Sequence, residues 1–487
     1  MRTSLVVIAL VVCLAAPWLG AQAADTGAMT DTGTPAAGSG TAEPAGSSGA
    51  AASSSEDDFF GSSQVEAPKG TAEKTDVADV VEKEHVGLSG QLQAMSSYTV
   101  ARSFVNGSGN LSDNTLSNLV GGDFLVDIRL QKGFKAFLDL NLGYVPGGTT
   151  THTFYPGPLV LTETQETALL IKEVFVDFNV ANTVYFRAGK QVLKWGTGYF
   201  WNPTDLINIE HRSFTNLDAL RQGVFGLRSD VVFAPWWHVY TFLNLNGVTS
   251  AAIWDAAFAA RSEFLVGGTE FAVSSWLKSG KIPVFGADLS TPLFWSLNLT
   301  AEGTLSWGDN QDKLDASGNP YSVRNQLVPK IDVGLSRSFD AFDVQNHVNV
   351  AVEFFYNGDG YDQNMFQLFS QLPYPFNQAA LGKFLGGGYF QSGYYGQYYG
   401  AAFVTINSFG TTNMTLTLSG LANFSDLSGT ALAGWSWSPV NNFTLSAQLG
   451  AYLGADNREY TLGFNSSTLQ LTSGNQLFGI LTATVAF

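Results

Sequence analysis

Cysteine is all but missing from this chain: Cys13 is the one thiol in 487 residues. It lies in an N-terminal apolar run that reads as a cleaved export signal, so the mature protein has no thiol at all. Small exported domains lean on disulfides, and this chain must hold together by another means. Long apolar runs are missing too. The run at 5–16 is too short for a spanning helix, and no later stretch approaches the ~20 apolar residues that one needs. Charge is scarce, at 13% of residues, about half the usual soluble share. What charge there is leans acidic, with a net of −17, which argues against nucleic acid as a partner. Catalytic patterns are absent as well. The five histidines, His85, His152, His211, His238 and His347, are scattered. No H-E-x-x-H, G-x-S-x-G, cysteine cluster or phosphate-cradling glycine motif occurs. The reading is therefore no enzyme, no cofactor and no metal site.

Three segments can be told apart. Residues 1–23 are the signal: Arg2 supplies the positive start and Ala21-Gln22-Ala23 the cleavage pattern. A lipoprotein reading through Cys13 fails, because Leu10-Val11-Val12 before it are not small. Residues 24–85 are Ala, Gly, Ser, Thr and Pro, then acidic residues. They hold too little apolar bulk to offset the entropy of ordering them, and read as a disordered acidic periplasmic segment. Residues 86–487 carry high aromatic content, many of the 52 glycines and a period of two.

That period is clearest over 295–307. Trp295, Leu297, Leu299, Ala301, Gly303, Leu305 and Trp307 share one face; Ser296, Asn298, Thr300, Glu302, Thr304 and Ser306 share the other. Side chains alternate across a strand, so one face meets oil and the other water. Soluble strands usually stop at ~5–6 residues. Here runs reach ten or more with Trp at their ends, as a lipid-facing band with aromatic girdles requires. The same alternation marks 86–101, 122–131, 133–145, 167–180, 183–193, 222–234, 237–246, 255–266, 269–277, 282–290, 293–307, 327–338, 343–356, 398–407, 412–424, 428–438, 442–453 and 475–487. Even-numbered joints are tight, as at Pro235-Trp236, Gly267-Gly268 and Thr291-Pro292. The long joints, 102–121, 146–166, 194–221, 308–326, 357–397 and 454–474, all fall at odd positions. Short turns on one side and long loops on the other predict an all-β fold, a transmembrane antiparallel β-barrel of about eighteen strands. Sixteen or twenty follow if one hairpin is missed or added.

The face opposite the aliphatics is the lumen. It receives Asp127, Arg129, Asp139, Asn141, Asp177, Arg187, Arg228, Asp230, Arg261, Glu263, Glu302 and Glu353. Beyond about residue 397 the inward positions are almost only Ser, Thr, Asn, Gln and Gly, so the wall is charged over part of its circuit and neutral over the rest. These charges either pair across strands and stiffen the wall or shape a field that selects solutes. Asp127 with Arg129 and Arg261 with Glu263 read as local pairs. The loop 194–221 is long and aromatic (Trp195, Tyr199, Phe200, Trp201), with a turn at Asn202-Pro203. If it enters the lumen, Lys194, Asp205, Glu210, His211, Arg212, Asp218 and Arg221 meet Arg187 and Arg228 in a constriction. Otherwise its aromatics pack it on the rim. The loop 357–397 holds Tyr361, Phe366, Tyr374, Phe376, Tyr389 and Tyr394 with little charge. It is read as a lid or a sugar-stacking surface, against a loop that packs only on itself.

Two resemblances add to this. Leu481, Ala483, Val485 and the terminal Phe487 resemble the last-strand signal that bacterial outer-membrane proteins present to their barrel-assembly machinery. Gly189-Lys190-Gln191 through Trp195-Gly196 to Asn202-Pro203-x-Asp205 resembles a segment of porin-like outer-membrane families of uncharacterised or exporter type. General porins fold the loop at this position inward, which implies a lumen narrowed by 194–221. The expectation is an outer-membrane, porin-like channel for passive diffusion of small hydrophilic solutes or ions. Substrate-specific transport (polysaccharide export, or uptake of sugars or hydrophobic compounds) and a barrel-anchored adhesin are the alternatives. Expected partners are membrane lipid, the assembly machinery and small solutes; single barrels and homo-trimers both remain open.

Overall fold

The computed structural model describes residues 86–487 apart from 131–133, 150–151, 154–159, 162–164, 181–182, 208–222, 249–254, 343 and 466–469. The expected signal 1–23 and the expected disordered acidic segment 24–85 lie outside the described residues. Eighteen strands form one sheet: β1 Val86–Ala101, β2 Thr115–Arg129, β3 Lys135–Thr149, β4 Gln165–Val180, β5 Val184–Gln191, β6 Val224–Ala234, β7 Trp237–Asn244, β8 Ala257–Val266 and β9 Thr269–Lys278. The second half is β10 Val284–Pro292, β11 Leu297–Gly308, β12 Arg324–Ala341, β13 Val344–Asn357, β14 Tyr398–Asn407, β15 Met414–Asn423, β16 Ser428–Val440, β17 Phe443–Leu453 and β18 Asn475–Ala486. Each pairs antiparallel with the next. β1 also pairs with β18, from Gln91 opposite Ala486 to Thr99 opposite Phe478, so the sheet closes on itself. The C-terminal Phe487 completes the seam: its N–H and C=O exchange bonds of 2.9 Å with Gly90.

Every strand expected from the alternation is present, two of them to the residue (86–101 and 398–407). Two expectations need correction. β2 begins at Thr115 rather than 122, so the end of the expected connection 102–121 is strand. The alternation places a strand over 293–307, but it begins at Leu297. Phe294–Ser296 is a turn in which Trp295 takes φ 58° and stands exposed. Turning the chain between β10 and β11 consumes these residues, and alternation cannot distinguish a turn aromatic from a strand aromatic. Where a turn has the minimum two residues, Gly267 and Gly268 both take positive φ (60° and 85°), the geometry that matches the twist of a tight hairpin.

Lipid explains the outward face. Leu92, Val120, Leu142, Leu169, Leu305, Val333 and Leu481 are all exposed on it. Each would leave ~1.5–3 kcal/mol of burial unrealised in water, and each is at home against hydrocarbon. Toward the short turns the aliphatics give way to a ring of aromatics. Phe134, Phe178 and Phe186 stack across β3–β5 with centroids 6.2 and 5.2 Å apart. Phe233, Trp237, Phe264 and Phe271 continue it across β6–β9 at 4.4, 6.0 and 6.4 Å. This is an interfacial girdle. The inward face is polar and mostly buried, because loops fill the lumen. On β11, for example, Thr300, Glu302 and Thr304 are buried while Leu305 and Trp307 face out.

Val333 sits at mid-strand on the lipid face, beside Ala301 and Phe354 of the neighbouring strands. Val333→Arg is expected to destabilise the barrel by about 2–4 kcal/mol. Urea titration of the protein refolded into lipid vesicles measures this.

Candidate functional site

The long connection after β5 leaves the wall at Gln191 and turns into the lumen. Its root packs on its own side of the barrel: Leu193, Trp195 and Ile207 are buried against Val224, Tyr240, Phe242 and Ala259. Val192 N–H donates to Glu173 at 2.7 Å. The chain then crosses. Gly198 N–H donates to Glu302 of β11 at 3.0 Å, and Thr204 binds the same carboxylate through its hydroxyl and N–H. The successive N–H groups of Tyr199, Phe200 and Trp201 all donate to Glu353 of β13, at 2.8, 3.0 and 2.8 Å. From β5 to β13 is eight strands round a ring of eighteen, so the loop reaches almost the opposite wall. There Trp201 is fully buried, stacked on Phe355 at 5.5 Å and tilted against Tyr399 at 5.6 Å. The aromatics anchor the loop inside the lumen rather than on the rim. We call 192–207 the plug.

The segment's sequence explains its shape. Asn202-Pro203-Thr204-Asp205 is a turn closed by Asp205 N–H to Asn202 C=O at 3.1 Å, with proline at its second position. Gly196 takes φ 91°, and a Cβ at Gly198 would lie 2.7 Å from Glu302 Oε1. Only glycine lets the backbone come this close to the wall.

The charged lumen residues divide by wall. On β4–β6, Arg187 forms a two-pronged pair with Asp177, its register partner, at 2.7 and 3.0 Å. Its guanidinium lies 3.8 Å from the Phe175 ring centroid. Arg228 sits opposite Arg187 and over Tyr240, and Asp230 is buried near His238. Arg261 and Glu263 pair at 3.3 Å as expected, but the closer partner of Arg261 is Asp288 of β10. Asp127 and Arg129 also pair, at 3.2 Å, with Lys135 joining at 3.4 Å. On β10–β12, Asp288, Glu302 and Asp332 lie in direct cross-strand register, and Glu353 follows on β13. Lys194 lies at the plug root, and it and Asp205 make further contacts. Glu210, His211, Arg212, Asp218 and Arg221, expected in the constriction, lie outside the described residues.

The lumen also holds residues that the sequence reading missed. Asp123, Asp288 and Asp332 follow the same alternation and were legible from it. Lys172 was not. A register shift lets Lys172 and Glu173 both turn inward, and Lys172 bridges Asp123 and Asp139 at 3.3 and 3.4 Å.

The long loops at the mouth pack into a cap. In the loop 358–397, helices α1 Met365–Ser370 and α2 Phe376–Gly386 bury Phe366, Phe369, Phe384 and Tyr395 with Leu314 of the preceding loop. This corrects the stacking expectation in part. Phe366 is core, Tyr361 and Tyr389 pack against it, and Tyr394 packs on Phe355 at 5.3 Å. Of these six only Tyr374, between the helices, and Phe376, at the start of α2, stand exposed. Alternation gives no hint of helices, because it senses one period only. The cap and the plug meet at Gly393: its C=O accepts from the Trp201 indole at 2.9 Å and its N–H donates to Glu459 at 2.5 Å. Glu459, from the last long loop, also accepts from Tyr399 and Asn423 at 3.0 and 2.7 Å. It brings a carboxylate to the wall that the sequence showed as neutral.

No protein-family model matches the chain, and no curated protein matches it. Among solved structures it is similar to a BenF-like porin from Pseudomonas fluorescens Pf-5, at 9% identity and TM-score 0.49, over 83% of this chain and 99% of that one. It is also similar to OccAB4 of Acinetobacter baumannii, at 9% and 0.48, over 83% and 98%. OccK8 (OprE) of Pseudomonas aeruginosa is similar at 9% and 0.48, over 82% and 98%. At this level the likeness assigns no solute or partner, and the barrel rests on its own pairing.

Burial, and then the nearby Asp426, push the Glu459 carboxyl up to about 8. An unfolded glutamate titrates near ~4.3. Between these values the folded chain holds a proton that the unfolded chain releases, so the contribution is full below ~4.3 and lost as pH rises through about 8. The cap is therefore expected to loosen from its neighbours above pH 8. Amide exchange of 357–397 is the readout, and Glu459→Gln should flatten the dependence.

Proposed function

We propose that the chain is an outer-membrane channel through which small hydrophilic solutes and ions diffuse, with the lumen narrowed by the plug. The observation that carries this reading is the anchoring of 198–204 to Glu302 and Glu353 on the far wall. A closed barrel of this width needs no plug for stability of its wall, and a segment laid across the lumen limits what can pass. Arginines on β5 and β6 stand on one side of the lumen and carboxylates on β10–β13 on the other, a transverse field suited to sorting ions and orienting dipoles. Arg187, Arg228, Asp177, Asp230, Arg261, Glu263, Glu302 and Glu353 line this path, with Lys194 and Asp205 on the plug. Glu210, Arg212, Asp218 and Arg221 extend the constriction in this reading. Export by the 1–23 signal, insertion by the barrel-assembly machinery through the Phe487 strand, and work as one barrel or as a trimer complete the proposal.

The hydrogen-bonded link from plug to cap through Gly393 favours a second reading, a substrate-specific transporter that stays shut until its ligand displaces both. Planar-bilayer recording separates the two. Stable open conductance supports diffusion; silence relieved by one ligand class supports the transporter. Glu353→Ala strands three buried N–H groups at about 1–3 kcal/mol each, so it should loosen the plug and raise conductance. Conductance equal to wild type would show that the plug does not limit the path. Neutralising Arg187 and Arg228 together should move the reversal potential toward cation preference; no movement would make them wall residues alone.

A further inference from the structure

Under the plug tip, three carboxylates gather on three consecutive strands: Glu302, Asp332 and Glu353. Glu302 and Asp332 are direct cross-strand partners, a placement in which like charges repel. Two of the three are answered. Glu302 takes hydrogen bonds from Gly198 and Thr204, and Glu353 takes them from Tyr199, Phe200 and Trp201. Asp332 is not. It is 1% exposed, no N–H or hydroxyl donates to either of its carboxylate oxygens, and it lies within hydrogen-bonding reach of the Glu353 carboxyl. The charges that act on it most are those of Glu353 and Glu302, and both repel it.

The surroundings of Asp332 are rich in oxygen. The point where a Cβ of Gly198 would lie is 3.0 Å from Asp332 Oδ2 and 2.7 Å from Glu302 Oε1, so both oxygens face the plug at one spot. Three neutral oxygens on the same seam are buried without partners: Thr300 Oγ1, Thr197 Oγ1 and Asn202 Oδ1. Thr300 lies across from Gly334, two residues beyond Asp332. Asn202 Oδ1 lies with Glu302 Oε2 beside Gly196. A buried carboxylate that no donor answers is strongly disfavoured, and clustered oxygens of this kind are what hard cations take as ligands. Among the described residues no three acidic or imidazole side chains are set as a metal cage. Glu302 and Glu353 have donors of their own from the plug, so Asp332 is the carboxylate left to balance, and a single positive charge does so.

We propose that Asp332 holds a small monovalent cation, sodium above all, between the wall and the plug. The cation neutralises Asp332 and ties β12 to the segment 197–202. The site depends on plug packing alone, so it stands whether or not the barrel conducts.

The test is thermal unfolding of the full chain, folded in detergent, in sodium chloride and in choline chloride at equal ionic strength and pH. Choline is too large for a buried site of this kind. The expected result is a melting temperature that rises with sodium and saturates, while choline has no such effect. Asp332→Asn should abolish the difference. Should that variant fail to fold, Thr300→Val removes one neutral ligand and should weaken the apparent sodium affinity about ten-fold. Equal melting in the two salts would overturn the proposal, leaving a proton or water as what Asp332 holds. A sodium effect that survives unchanged in Asp332→Asn or Thr300→Val would overturn it as well, by placing the ion elsewhere.

Discussion

In hydrocarbon a backbone N–H or C=O without a partner costs several kcal/mol, and no water is there to supply one. A sheet can meet that demand only by closing. Here the closure is the pairing of β1 with β18, carried to the last residue by Gly90 and Phe487. Once the ring is closed, its two faces have different solvents, and the alternation of aliphatic and polar residues along every strand follows. The absence of cysteine from residues 86–487 follows too, since a sheet without edges needs no cross-links.

Closure creates a second problem, which is the room it encloses. Eighteen strands leave an interior too wide for the wall's own side chains to fill. The chain fills it with backbone. The plug brings a run of N–H groups to Glu302 and Glu353, so each carboxylate gains fixed donors as it loses water. Such charge-assisted bonds are among the stronger ones available inside a protein. The arrangement also explains two local features. Gly196 and Gly198 let the backbone approach the wall, and the Asn202-Pro203 turn sends it back. The plug is thereby specified by the acids it meets, which lie about a hundred and a hundred and fifty residues further along the chain.

The cap extends this logic outward. Its helices bury their aromatics on each other and on neighbouring loops, and Gly393 ties them to Trp201 below and to Glu459 beside. Plug, cap and last loop thus share one hydrogen-bonded node. A change at one of them is felt at the others through direct contact, with no need for a longer pathway.

The strand pattern, the order of short and long connections, the lipid face and the lumen-facing charges could all be read from residues 86–487, because a period of two is a local property and both solvents act on every strand alike. The plug's position and its aromatic and glycine content were legible in the same way. Its partners were not. Nothing local in Tyr199-Phe200-Trp201 indicates that Glu353 receives their N–H groups, or that Asp332 is left without such donors. Lys172 turns inward only because β3 and β4 slip past each other, and Glu459 reaches a neutral wall only because a loop folds over it. These are pairings between distant parts of the chain. They are decided when the ring closes and its interior must be filled, and that happens only in the tertiary structure.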